Sequence, residues 1–338
     1  MKPRALITGI TGMVGSHMAD YLLKNTDWDI FGMYRWRSPL DNIKHLVTDI
    51  NQKSRVELCY ADLSDSTSIN ELISYVKPNY VFHLAAQSFP KTSFTSPENT
   101  LDVNIQGTFR VLEALKNYSP KAKIHVCASS EVFGRVPKEK LPINEECTFH
   151  PASPYAISKV GTDLAGRYYA EAFGMNVMTT RMFTHTGPRR GDVFAESTFA
   201  KQISLIEAGY QEPVIMVGNL DSLRTFADVR DAVEAYHLLL TCSPISGEYY
   251  NIGGSYTSTI GDMLNTLIKL STFDGEIKVL EDPERLRPID ADLQVPDTSK
   301  FQKHTGWTPK IPFEVTMNDL LNYWRERVAS EGSVFLNR

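Results

Sequence analysis

The sequence predicts an α/β fold: a doubly wound parallel sheet with a smaller mixed α/β region attached. Three observations carry this expectation. Apolar runs of strand length alternate with amphipathic runs of helix length through the first half of the chain. The short runs are apolar along their whole length, as strands covered on both faces must be. A glycine-rich turn, ITGITGMVGSH, joins the first run to the first helix, where such folds hold ligands beyond the carboxyl ends of their strands.

Strands are expected at 5–10, 29–35, 56–63, 80–86, 123–129 and 176–183, and helices at 16–25, 68–77, 100–118 and 153–174. Beyond Phe183 the pattern loosens. HTGPRRGDVF reads as a basic turn, and 199–209 as a helix. Residues 224–240 read as strand, turn and helix, 249–254 as a strand, 281–293 as a loop, and the region near 313–328 as a helix. The expected division is a dinucleotide-binding domain over 1–183, with segments returning to it near 219–252 and 295–312. Residues 184–338 form a mainly substrate-binding, interleaved region.

The bulk numbers narrow the function classes. The chain has 338 residues, 42% of them hydrophobic, with a formal net charge of −5. That balance gives no electrostatic footprint for nucleic acid. No apolar run approaches the roughly 18 residues a membrane span needs. Four scattered cysteines without CxxC spacing read as structural thiols of a cytoplasmic protein rather than disulfides or a metal site.

Gly9, Gly12 and Gly15 form GxxGxxG at the first strand–helix junction. Such glycines let the backbone turn tightly and approach a pyrophosphate seated on the helix N-terminus. The second strand ends in MYRWRS, with Arg35, Arg37 and Ser38 and no carboxylate. Guanidinium and hydroxyl groups suit the extra phosphate of NADP. Asp62 follows the third strand, either reaching the adenine edge or capping the next helix. Tyr155 and Lys159 stand four apart, hence on one face of a helix, where an ammonium lowers the proton affinity of a phenol and readies it as a base. At the end of the fifth strand, CASSEVFG brings Ser129, Ser130 and Glu131 together. Glu131 is a catalytic base or a plain loop carboxylate. His83 reads as a satisfied core histidine, and Trp36 and Trp307 as packing residues.

The glycine loop, HLAAQ at 83–87, the Ser129 region and Tyr155-xxx-Lys159 together resemble the extended short-chain dehydrogenase/reductase family, in its nucleotide-sugar branch, over nearly the whole chain. The resemblance implies an NAD(P)-dependent enzyme with a tightly held cofactor, assembled through helix pairs into dimers or tetramers. TGITGMVGSHMADYLL, YRWRS, SFTSPENT and PRRGDVF resemble GDP-mannose 4,6-dehydratases, which more often have Gln-Asp at positions 13–14. The stretch from FAKQISLIEAG to DAVEAY is closer to GDP-4-keto-6-deoxy-mannose reductases. Two departures stand out from the dehydratases: Thr184 where Asn is usual, and Arg287-Pro288-Ile289-Asp290 where RPxE is usual.

The resemblance implies conversion of GDP-mannose to GDP-4-keto-6-deoxy-mannose, with a keto-sugar reductase, or another dehydratase or epimerase, as the alternative. Tyr155, supported by Lys159 and Ser129, takes the C4 hydroxyl proton, and Glu131 acts at C5 and C6. It also implies cofactor contacts at Thr11, Met13, Val14, Leu63, Leu84, Ala85, Ala86, His185 and Arg190. Arg190 either clamps a phosphate or faces a neighbouring subunit. Substrate contacts are implied at Ser88, Ser130, Thr184, Lys201, Val217, Arg224, Arg287 and Asp290, with Arg224 and Arg287 pairing the diphosphate. Asn104 is implied to be a structural polar residue that bends its helix.

Overall fold

Seven parallel strands make the central sheet of this computed structural model, which describes residues 2–286 and 291–332. They are β1 (Arg4–Thr8), β2 (Asp29–Tyr34), β3 (Val56–Tyr60), β4 (Tyr80–His83), β5 (Lys123–Cys127), β6 (Asn176–Met182) and a late strand at Tyr249–Ile252. The spatial order is β3-β2-β1-β4-β5-β6 and then the late strand, so the winding reverses between β1 and β4. A crevice opens at such a reversal, outside the carboxyl ends of the strands.

The apolar runs explain the layering. Leu6 and Ile7 are both fully buried on β1, yet they belong to different cores, because successive side chains point to opposite faces. Each such side chain contributes roughly 1.5–3 kcal/mol by leaving water. On one face lie α1 (Met13–Asn25) and the short α2 (Val47–Gln52). On the other lie α3 (Ser66–Val76), α6 (Gly107–Tyr118) and α7 (Pro154–Phe173), with α4 (Pro90–Thr95) and α5 (Pro97–Leu101) leading into α6. The single helix expected over 100–118 is interrupted by a π turn, Asp102–Gln106, centred on Asn104. Asn104 is buried, accepts from the Gln87 amide at 2.8 Å and donates to Ser158 Oγ at 2.8 Å, so the bend aims its amide between two segments.

After β6 the strands shorten: β7 (His185–Thr186), β8 (Val214–Val217), β9 (Leu223–Asp228), β10 (the late strand, Tyr249–Ile252), β11 (Tyr256–Thr259), β12 (Lys278–Glu281) and β13 (Leu293–Gln294). β7, β11 and β13 pair with β9, and β12 pairs with β8. A third core lies among α8 (Ala195–Glu207), α10 (Ile260–Lys269) and α12 (Phe313–Glu331). α9 (Val229–Thr241) instead packs on α1, and α11 (Ser299–Thr305) lies beside β10. Several of these pieces were not visible as sequence pattern, because strands of two to four residues show too few positions for a period. Nor is there a turn between β9 and α9: Asp228 ends the strand and at once caps the helix, accepting from the Arg230 amide at 2.7 Å.

Trp307 is buried, as its packing role requires, but Trp36 is 78% exposed. Its turn after β2 projects from the sheet edge, and no core reaches it.

Candidate active site

A cavity of about 820 Å³ occupies the crevice at the carboxyl ends of the strands. Its floor is the β1–α1 turn. A Cβ on Gly15 would lie 2.2 Å from Gly9 O, so only glycine lets the helix start this close to the turn. Gly12 is the N-cap of α1 and offers no side chain to its first amides. Gly9, Gly12, Met13, Val14 and Gly15 all border the cavity. This arrangement fits a dinucleotide pyrophosphate, with peptide N–H groups and the positive end of a helix dipole beneath it. Leu84 and Ala86 form the neighbouring wall. Behind them Thr8 Oγ1 accepts from the amides of Leu84 and Ala85, both at 3.0 Å, and contacts His83 Nδ1 at 3.0 Å. His83 reaches Thr108 Oγ1 through its other nitrogen, and burial lowers its pKa to about 3: it is a structural, neutral histidine.

The fifth strand delivers the central residues. Ser129 Oγ accepts from the Glu131 amide at 3.2 Å and starts a 3₁₀ turn, Ser130–Phe133. Gly134 ends it with φ +54°, and a Cβ there would lie 1.7 Å from His150 O. Val132 and Phe133 plug a small core with Ile143 and Phe183, leaving Ser130 and Glu131 on the cavity wall. Opposite, Ser153 Oγ caps α7 by accepting from the Ala156 amide at 3.0 Å, and Pro154 opens the helix. One turn in, Tyr155 and Lys159 line the same cavity as Ser129 and Glu131.

The electrostatics of the tyrosine–lysine pair differ from the expectation. Lys159 Nζ donates to Cys127 O at 2.8 Å, and burial lowers its pKa. The Tyr155 phenol stands above its ordinary range, not below it. Burial raises it most, hydrogen bonding with Ser129 lowers it, Cys127 and Glu131 raise it, and Arg190 lowers it.

Thr184, His185, Arg190, Ser88 and Arg224 complete the predicted residues that reach the cavity. His185 Nδ1 lies 3.2 Å from Phe183 O, and burial holds its pKa at about 4, so the ring is neutral. Arg224 Nη1 donates to Leu223 O at 3.1 Å and to Ala291 O. Other expected contacts are not on the wall. Leu63 and Val217 are core residues, and Gly218 borders the cavity where Val217 was expected. Lys201 turns to Asp192 at 3.0 Å, with Trp324 beside it. Ala85 lies behind the glycine turn, and Thr11 gives its carbonyl to Asn42. Arg35 and Arg37 are exposed beyond the cavity wall, with Ser38 Oγ accepting from the Arg35 amide at 3.1 Å. Asp62 does not cap α3. It accepts from the Ser64 amide, while Asp65 caps the helix through Thr67 and Ser68. Arg287 and Asp290 lie outside the described residues.

Sequence reading missed Asn42, Lys91, Arg189, Glu196 and Arg285 on the wall. Arg189 sat in the quoted PRRG stretch; the others come from separate elements and carry no local signal. All four cysteines are free thiols. Among the described residues, no helix is long and apolar enough to cross a membrane, and no acidic, cysteine or histidine cluster is built to hold a metal.

The reversal of the sheet, the glycine turn and the Ser129–Tyr155–Lys159 cluster define an extended short-chain dehydrogenase/reductase. A family model described as GDP-mannose 4,6 dehydratase matches residues 6–320, and the chain belongs to that family. It is 32% identical over 340 residues to the GDP-mannose 4,6 dehydratase of Drosophila melanogaster, covering 94% of this chain and 85% of that protein. It is 29% identical over 333 residues to the GDP-6-deoxy-D-mannose reductase of Pseudomonas aeruginosa, covering 98% and 100%. The solved structure of RMD from Pseudomonas aeruginosa complexed with NADPH is similar with a TM-score of 0.82 at 28% identity, over 97% of this chain and 100% of that one.

Proposed function

We propose that the protein is an NADP-dependent nucleotide-sugar 4,6-dehydratase that converts GDP-mannose to GDP-4-keto-6-deoxy-mannose. The observation that carries the reading is Glu131 on the same cavity wall as Ser129 and Tyr155, a second carboxylate base beside an alcohol-oxidising pair. Bound NADP accepts hydride from C4 and returns it to C6. Tyr155 takes the C4 hydroxyl proton while Ser129 hydrogen-bonds the same oxygen. Lys159, fixed to Cys127 O, supplies a buried positive charge on the cofactor side. Glu131 removes the C5 proton, acidified by the new ketone, and protonates the departing C6 hydroxyl. Ser130 orients the C6 end.

Arg35, Arg37 and Ser38 at the end of β2 favour NADP over NAD, since no carboxylate stands there to repel a phosphate. Residues 184–338 supply the substrate side, with Arg224, Thr184 and Ser88 on its wall. Ile157, Leu164 and Tyr168 are exposed on α7 at spacings of seven and four, so they share a face. This face suits a second copy of the chain, in a dimer or tetramer. Sedimentation equilibrium reads this directly, and a monomer at micromolar concentration ends that part of the reading. Four free thiols suit a reducing cytoplasm.

A second reading has a specific observation behind it: the reductase relative matches end to end, whereas the dehydratase relative is longer than the match. The two separate cleanly. The dehydratase turns over GDP-mannose with NADP and accumulates keto-sugar without net NADPH. The reductase does nothing until given keto-sugar and NADPH. Within the dehydratase reading, Glu131→Gln abolishes water elimination while the protein stays folded and binds cofactor. Elimination near the wild-type rate overturns the role of Glu131.

A further inference from the structure

Tyr155 must surrender its proton from a buried position, and the lysine beside it is already engaged: Nζ holds Cys127 O at 2.8 Å and stands 6.0 Å from the phenol ring centre. The opposite cavity wall supplies another cation, held firmly. Arg190 lies in the turn after β7, where its amide donates to Gly187 O at 3.3 Å. Its guanidinium lies 3.5 Å from the centre of the Phe194 ring, and its Nε donates to Glu196 Oε1 at 3.1 Å. Both side chains are largely buried. The backbone is pinned as well. Ser197 Oγ donates to Arg190 O at 2.7 Å, and Trp324 Nε1 donates to that same hydroxyl at 2.8 Å. Such a clamp fixes a direction, which a guanidinium recruited from solvent would lack.

We propose that Arg190 is a positioning residue for proton transfer, the cation that stabilises the Tyr155 phenolate across the cavity, with Glu196 setting how much of its charge the phenol feels. This rests on Tyr155 being the base of the proposed reaction. The surroundings of Tyr155 support the choice. From the end of β5 come Cys127, Ser129 and Glu131, from α9 Tyr236, from its own helix Lys159, and from the turn after β7 His185 and Arg190. Cys127, Glu131 and Tyr236 oppose a second negative charge. His185 is neutral, so Arg190 is the one positive group on the substrate-facing wall that acts on the phenol. The coupling is mutual, since a charged Tyr155 also steadies the buried guanidinium.

The sign follows. Phenolate is favoured by the cation, so removing it makes Tyr155 harder to deprotonate. The rising limb of kcat/KM against pH for GDP-mannose moves up by about one unit in Arg190→Met, the scale of a nearby charge, and Arg190→Lys recovers most of the shift. Glu196→Gln moves the limb down, because a competing anion is gone, and this variant reads the coupling even if Arg190→Met fails to fold. NADPH affinity, followed by its fluorescence on binding, stays within twofold of wild type in each. A limb unmoved in folded Arg190→Met and Glu196→Gln overturns the proposal, as does a rate loss that tracks a fall in NADPH affinity with the limb fixed. Tyr155→Phe is the separate control: turnover persisting there overturns the assignment of Tyr155 itself.

Discussion

The two parts of the molecule use ion pairs in opposite ways. In the sheet domain, Arg181 on β6 and Asp163 on α7 meet with both side chains essentially fully buried. Nε and Nη2 reach the two carboxylate oxygens at 2.8 and 3.2 Å, and Nη1 donates to Glu145 O at 2.9 Å. The guanidinium is packed against Phe149 and Tyr249, 4.7 and 4.4 Å from the ring centres. Across the later region, Arg230 joins Asp228 at 2.7 Å to Asp319 at 2.8 Å, but Arg230 and Asp319 stay about a third exposed. The first pair is part of a dry wall behind the 3₁₀ turn that carries Glu131. The second is a wet clasp between α9 and α12. Chemistry that depends on tenths of an ångström rests on the first kind, and a surface that must admit and release a nucleotide sugar tolerates the second.

The sharpest way to break the contrast is Asp163→Asn. The amide keeps the shape but leaves the Arg181 charge buried without a counter-ion, which costs about 3–5 kcal/mol. Urea unfolding should show a loss of that size with an unchanged m-value, and turnover should fall with it because α7 carries Tyr155 and Lys159. A loss below about 1 kcal/mol would falsify the claim that this pair holds the wall together.

That wall also marks what was legible in the sequence. Tyr155 and Lys159 were readable because a helix puts positions four apart on one face, and Ser129 and Glu131 because a strand end in a doubly wound sheet has one place to go. The glycine turn was readable for the same reason: a local rule fixed a local geometry. Arg190 was singled out, but its partners Glu196 and Phe194 were not, since the clamp exists only once the turn after β7 folds back on α8. Val217 was expected one residue from Gly218, which borders the cavity; in a four-residue strand an error of one position turns a wall residue into a core residue. Trp36 failed for the converse reason. Its size argued for a core, while its place beyond a sheet edge gave it none. The direction of the Tyr155 shift was missed because spacing gives proximity but not where an ammonium points, and Cys127 O had first claim on Lys159.

The smaller effect tests the same contrast from its weak side. Asp319→Asn removes one of two carboxylates from Arg230, yet Nη2 and Nε keep Asp228 at 2.7 and 2.8 Å, and Asp228 keeps Thr316 Oγ1 at 2.8 Å. With the broken partner half in water, the loss should be about 0–1 kcal/mol, shrinking further as salt screens it. Thermal melts in low and high salt measure this, and kcat for the sugar nucleotide should match wild type. A drop above about 2 kcal/mol that salt does not reduce would mean the α9–α12 clasp behaves as a buried pair. The later region would then be as rigid as the sheet domain, and the difference between the two would have to lie in their strand lengths alone.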